Sequence, residues 1–159
     1  MATSTIRASS WRSRLMACAI VLLGTLSAAQ PATADGVTAY GHGGSFDDAA
    51  FEVENAIVDR GLVIDYVSHV GAMLDRTKAD VGGGKDLFKH ARIYVFCSSI
   101  VSRAVIEADP MNVAYCPYGI FVAEAAAGGV TVGYRNLPAG PMQQVQELLD
   151  AIAREATGQ

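Results

Sequence analysis

Residues 45–61, SFDDAAFEVENAIVDRG, set Ala50, Val53, Ile57 and Val58 at helical spacing among polar positions. Both ends of this predicted helix carry boundary chemistry. Ser45 can cap, Asp48 stands three residues on as a capping box requires, and acids fill the first turn. Arg60 and Gly61 mark the C-terminal end. The pattern then changes period. Residues 62–70, LVIDYVSHV, are rich in strand formers, and residues 71–91 are a more polar connection with some helical character. Residues 92–96, RIYVF, read as a compact apolar strand. Residues 99–108 predict a helix with Ile100, Val101, Ala104 and Val105 on one face, stopped by Asp109-Pro110. GIFVAE (119–124) and VTVGYR (130–135) flank the turn Ala127-Gly128-Gly129 and predict a hairpin. Pro141 opens a last helix over 142–156, with Val145, Leu148, Leu149 and Ile152 as its stripe. With a first strand at 37–40, the expectation is an α+β fold. It would be an antiparallel-rich sheet of four to five strands with helices packed mainly on one face.

The N-terminal segment follows a different logic. Arg7, Arg12 and Arg14 precede an apolar run, LMACAIVLLGTL, at residues 15–26. Small residues follow, with cleavage expected after Ala29 or after Ala34. Twelve apolar residues fall short of the roughly 20 that span a bilayer. Residues 1–34 therefore read as a signal peptide, and residues 35–159 as one globular domain, periplasmic or secreted.

Removing the leader changes the charge. All sixteen acidic residues lie at Asp35 or later, whereas three of the twelve basic ones leave, so nine against sixteen gives −7. A chain this acidic, with no basic cluster, is repelled by nucleic acid and by anionic membrane surfaces, and neither is an expected partner.

The chemistry-bearing residues are few. Cys18 falls in the leader, which leaves Cys97 and Cys116. In an oxidising compartment a Cys97–Cys116 disulfide is the default reading. It would close a loop of about 20 residues, for roughly 3 kcal/mol in the chain-entropy model. If the segment DPMNVAY climbs back beside the helix, the two thiols meet at one sheet edge. If the chain instead returns into a parallel strand, they sit at opposite ends. The other readings are two small buried residues, or thiol chemistry. For the last, Cys97 stands just before a helix start, where the dipole would lower its pKa. Together with His69 and Met111 the thiols are ligand types suited to Cu(I) or Zn(II), without supporting spacing. No C-x-x-C or C-x-x-C-H occurs. His42 and His90 read as surface or loop residues. VGGGK at 81–85 lacks the Walker spacing and reads as a flexible connection. Tyr115, Tyr118, Phe121 and Tyr134 read as ordinary strand residues.

Several of these segments, in this order, resemble the domain of unknown function 302 family: SFDDAAFEVENAIVDRGL, IDYVSHV ending near His69, RIYVFCS, EADPMN, CPYGIFVAE and VTVGYRNLP. The resemblance implies a small exported bacterial α+β domain and a histidine at the position of His69. It also implies an association with periplasmic sulfur oxidation, because some members are encoded near such genes. It brings no established activity. Relatives carry a Gly-Asn-Pro-like turn and a Leu-Pro where this chain has Cys97 and Cys116-Pro117, so the resemblance is to a cysteine-bearing subset.

The leading functional expectation is an exported, non-catalytic accessory domain. It would bind a small ligand or a partner protein at a sheet edge formed by Cys97, Cys116 and His69, within sulfur-compound metabolism. The alternatives are a thiol-dependent enzyme or sulfur or metal carrier using Cys97 and Cys116, and a structural or dimerisation module with an inert disulfide. The partners carried forward are a second copy of the chain and periplasmic sulfur-oxidation proteins.

Overall fold

In the computed structural model, which describes Met1 and residues 32–34 and 36–159, the leader expected over residues 1–34 lies outside the described residues apart from Met1 and one short strand. That strand, β1 (Ala32–Ala34), pairs with β2 (Val37–His42). A cut after Ala29 leaves it on the chain, and a cut after Ala34 removes it. The remaining strands are β3 (Val63–Ser68), β4 (Phe88–Cys97), β5 (Tyr118–Ala125) and β6 (Val130–Arg135). Their order across the sheet is β1-β2-β6-β5-β4-β3, and every neighbouring pair is antiparallel. The expected four to five strands are β2 to β6, lengthened by the three-residue β1.

Helix α1 (Phe46–Val58) starts at the predicted capping box. Asp48 N–H donates to Ser45 Oγ at 3.1 Å, and Ser45 N–H donates back to Asp48 Oδ2 at 3.0 Å. The helix ends three residues before Gly61, but Arg60 still serves its C-terminus by donating to the Ala56 carbonyl at 2.7 Å. Helix α2 (Val70–Thr77) follows β3, α3 (Ser99–Ala108) follows β4, and α4 (Gln143–Thr157) closes the chain. Between α3 and β5, Pro110–Tyr115 wind as a 3-10 helix.

One face of the sheet holds the core. Tyr40, Tyr94, Phe96, Ile120, Val122 and Val132 meet Val53 and Ile57 of α1 and Val145, Leu149 and Ile152 of α4. Each such aliphatic side chain, fully withdrawn from water, is worth about 1.5–3 kcal/mol. Two stripes differ from expectation. On α3 the core takes Val101, Val105 and Ile106, while Ile100 is 82% exposed and Ala104 also faces water. On α1, Val58 is exposed and Phe46 and Ala49 are buried in its stead. In both helices the apolar residues cover a wider arc than one neighbour can bury, so contact geometry decides which of them go inside. β4 runs four residues further N-terminal than its apolar segment predicts, because Phe88, His90 and Ala91 find partners on β5, with Lys89 in a bulge between them.

Candidate functional site

The thiols lie at one end of the sheet. β4 ends on Cys97, and Ser98 caps α3 by accepting from Val101 N–H at 3.3 Å. The 3-10 segment then carries the chain back, so that β5 opens with Tyr118 opposite Phe96. The antiparallel return places Cys116 beside Cys97, and the alternative with thiols at opposite ends does not occur. Cys97 and Cys116 are both free and half-buried. Cys116 Sγ donates to Ser102 Oγ at 3.5 Å, and Ser102 Oγ shares a hydrogen bond with the Tyr118 hydroxyl at 3.0 Å. Burial, and then the neighbouring Cys116, push the Cys97 thiol up. Burial, and then Cys116, push the Tyr118 hydroxyl up to about 12. That direction is opposite to the lowering expected from the start of α3: Cys97 stands one residue before the cap, half-buried beside a second thiol.

His69 is not part of this site. Cys97 pairs with Val63 at one end of β3, whereas His69 follows Ser68 at the other. Five strand steps put them roughly 17 Å apart. His69 is exposed, occupies the cap position of α2, and its side chain makes no capping hydrogen bond. The four-residue ligand set considered for Cu(I) or Zn(II) is not assembled either. Met111 is exposed in the 3-10 segment, and among the described residues no three His, Cys, Asp or Glu side chains gather as a metal site.

His69 instead lines a cleft of about 560 Å³ at the other end of β4. β3 pairs β4 only as far as Ile93, and α2 takes the place it vacates. Gly71 makes that possible, since a Cβ there would come within 2.6 Å of Ala91 N. The segment at 78–87, including the glycines read as a flexible connection, forms the outer wall. Phe46 forms the floor. The His90 ring lies 5.0 Å from its ring, and the Arg92 guanidinium 4.9 Å above it. His90, expected to be an ordinary surface residue, is thus a cleft residue.

The lining is basic. Lys78, Lys85, Lys89 and Arg92 join His69 and His90 there, against Asp75 and Asp86. Lys78 pairs with Asp86 at 2.5 Å and Lys89 with Glu124 at 2.8 Å, while Arg92 reaches Asp47 at 3.8 Å. The sequence did contain a signal, because four of the nine Lys and Arg residues beyond residue 34 fall between 78 and 92. A net charge taken over the whole domain hides it.

A third cluster joins α4 to the sheet. Asp150 Oδ1 accepts from the Tyr40 and Tyr134 hydroxyls, the latter at 2.8 Å, and Oδ2 accepts from Arg154 Nε at 2.7 Å. Burial works against the charge on Asp150, but the bonds from Tyr40, Arg154 and Tyr134 prevail and hold its pKa below the usual value. Burial, and then Asp150, push both tyrosines up. Tyr134, read from sequence as an ordinary strand residue, is therefore one arm of a buried polar tie.

Residues 38–158, from β2 to the end of α4, match the family described as Domain of unknown function DUF302. The chain belongs to the DUF302 family. This DUF302 domain also shares its fold with a solved relative, the crystal structure of an uncharacterized conserved DUF302 protein from Bacillus stearothermophilus. That likeness has a TM-score of 0.63 at 13% identity over 77% of this chain and 99% of the other. No curated protein matches the chain. The family span encloses the thiol pair, the basic cleft and the Asp150 tie alike.

Proposed function

We propose that this DUF302 domain is an exported accessory module that binds a small anion in the cleft between α2 and β4. The observation that supports this reading is a concentration of positive charge in a cleft of about 560 Å³ on a chain that is acidic overall. That volume falls in the range of about 300–1,000 Å³ typical of small-molecule sites. Arg92 is the anchor, held over the Phe46 ring with only a long ion pair to Asp47. Lys85 and the two histidines supply further donors. Binding rather than turnover is the proposed role. Reduced-sulfur oxyanions are the ligands that would connect the cleft with the sulfur-compound metabolism implied by the family resemblance.

The test is calorimetric titration of the exported protein with thiosulfate, sulfate and phosphate, repeated with Arg92→Gln. Saturable binding that Arg92→Gln weakens at least about tenfold, near the value of one charge-assisted hydrogen bond, supports the reading. Absence of binding by all three anions, or affinity indifferent to Arg92, would overturn it.

A second reading is carried by a separate observation, the adjacency of Cys97 and Cys116. In an oxidising compartment the pair would close to a structural disulfide, each thiol giving up a hydrogen to the cellular thiol oxidant. An intact mass two hydrogens below the reduced value is the expected result for exported protein. The elevated Cys97 pKa disfavours the third alternative, a thiolate nucleophile.

A further inference from the structure

The cleft between α2 and β4 is larger and more apolar than an inorganic anion requires. One water takes roughly 30 Å³ in the liquid, so about 560 Å³ holds roughly 19 water-sized groups. Sulfate or thiosulfate would fill only a few of those places. The lining has an apolar part as well as a cationic one. Phe46 at the floor and Leu74 of α2 are joined by Val81, Leu87 and Phe88. The last three are 76%, 56% and 39% exposed. One such residue on a surface is ordinary, but three lining a single cleft form an area that a ligand can withdraw from water.

The wall that carries Val81 and Leu87 is held in place. Val81 N–H donates to Thr77 O at 3.2 Å and Gly83 N–H donates to Lys78 O at 2.8 Å. Lys78 pairs with Asp86 across the same turn, and Ala126 N–H donates to Leu87 O at 3.1 Å just beyond β5. The apolar lining is thus formed without a ligand, which lowers the ordering cost of binding.

Charge sets the head group. Lys78 and Lys89 are already paired with Asp86 and Glu124. Lys85 makes no ion pair among the described residues, and Arg92 reaches only the exposed Asp47 at 3.8 Å. With histidine counted as neutral and Asp75 opposing these two cations, one positive charge is left for a ligand.

We infer that the ligand of this cleft is an amphipathic organic monoanion, a single sulfonate or carboxylate head on an apolar body. The head meets Arg92, whose planar fork matches two oxygens of either group. The body lies against Val81, Leu87 and Phe88. This inference rests on the anion-binding reading above and narrows it, since an inorganic anion would use the head position alone.

Calorimetric titration of the exported protein with sulfate, 1-octanesulfonate, octanoate and 1-octanol separates the two claims. Octanesulfonate keeps a sulfate-like head and shares its chain with octanol. It should bind at least about tenfold more tightly than sulfate, a gain that two methylenes withdrawn from water already supply, and more tightly than octanol. Whichever of octanesulfonate and octanoate binds more tightly names the head. Leu87→Ser and Val81→Ser, both at exposed positions, should each cut the gain over sulfate at least about threefold and leave sulfate affinity unchanged. Circular dichroism checks that they fold. Arg92→Gln should weaken sulfate and octanesulfonate alike. If sulfate binds but octanesulfonate binds no more tightly, or if its gain survives both serine substitutions, the amphipathic ligand is wrong and the anion reading stands. If octanol binds as tightly as octanesulfonate, or if no anion binds, the anion reading falls as well.

Discussion

Replacing Asp150 by alanine removes the acceptor shared by the Tyr40 and Tyr134 hydroxyls, whose residues are only 2% and 3% exposed. A buried donor left without a partner costs about 1–3 kcal/mol. The upper end does not apply here, because the Asp150 side chain is 30% exposed and water can follow it into the gap. About 1 kcal/mol per hydroxyl is the appropriate figure. The exposed pair with Arg154 adds at most about 0.5 kcal/mol, and the better helix propensity of alanine returns a similar amount. Asp150→Ala should therefore lower stability by about 2 kcal/mol in urea unfolding followed by far-UV circular dichroism. The triple variant Tyr40→Phe/Tyr134→Phe/Asp150→Ala should recover most of that loss, because removing donors and acceptor together leaves nothing unpaired. The depressed pKa of Asp150 fixes the pH dependence. Its contribution is present above the usual aspartate value of 3.8 and is lost as pH falls through the lowered folded value, so wild type and Asp150→Ala converge in acid. A loss under about 0.5 kcal/mol at neutral pH, or no recovery in the triple variant, would show that the cluster does not tie α4 to the sheet.

Two further outcomes are expected. Tyr94 is fully buried, and its hydroxyl is the one buried side-chain polar atom without a hydrogen bond among the described residues; Arg92 and Glu54 act on it without meeting bonding geometry. Tyr94→Phe should leave the urea midpoint unchanged or raise stability by up to about 1 kcal/mol, and a loss above about 1 kcal/mol would reveal a partner for that hydroxyl. The Cys97 thiol, held above its usual value of 9.0, should in reduced protein be alkylated by iodoacetamide more slowly than a free cysteine at neutral pH. Its rate should rise only as pH passes above 9.0, whereas fast labelling at neutral pH would restore the thiolate reading.

The elements that local rules specify were legible in the sequence. The capping box of Ser45 and Asp48, the stop at Asp109-Pro110 and the glycine turn between β5 and β6 all lie where their chemistry puts them. What local rules leave open is which of several apolar residues a helix buries. Ile100 and Val105 are both apolar, but only Val105 faces the core, because α3 packs on the 3-10 segment and α4 through one narrow strip. The same holds at the start of β4. His90 does not read as a strand residue, and its place in the sheet comes from pairing with Glu124 of β5, with Lys89 taken up in a bulge beside it.

The candidate sites divide along the same line. That Cys97 and Cys116 could meet followed from two strand ends and a seven-residue return, a question with two geometric answers that the antiparallel pairing decides. The protonation of Cys97 did not follow, because it depends on burial and on a second thiol brought in by tertiary structure. His69 was tied to the cysteines by its place at a strand end, yet a strand has two ends, and the register of β3 against β4 sends it to the far one. There it meets a cleft that no motif announces: its cations come from a helix, a glycine-bearing segment and a strand, and act together only because Gly71 lets α2 press against β4. The roughly 17 Å between the two sites has an experimental consequence. Substitutions at Arg92 should leave the thiols undisturbed and oxidation of the thiols should leave the cleft undisturbed, so anion binding and thiol state can be read independently in the same protein.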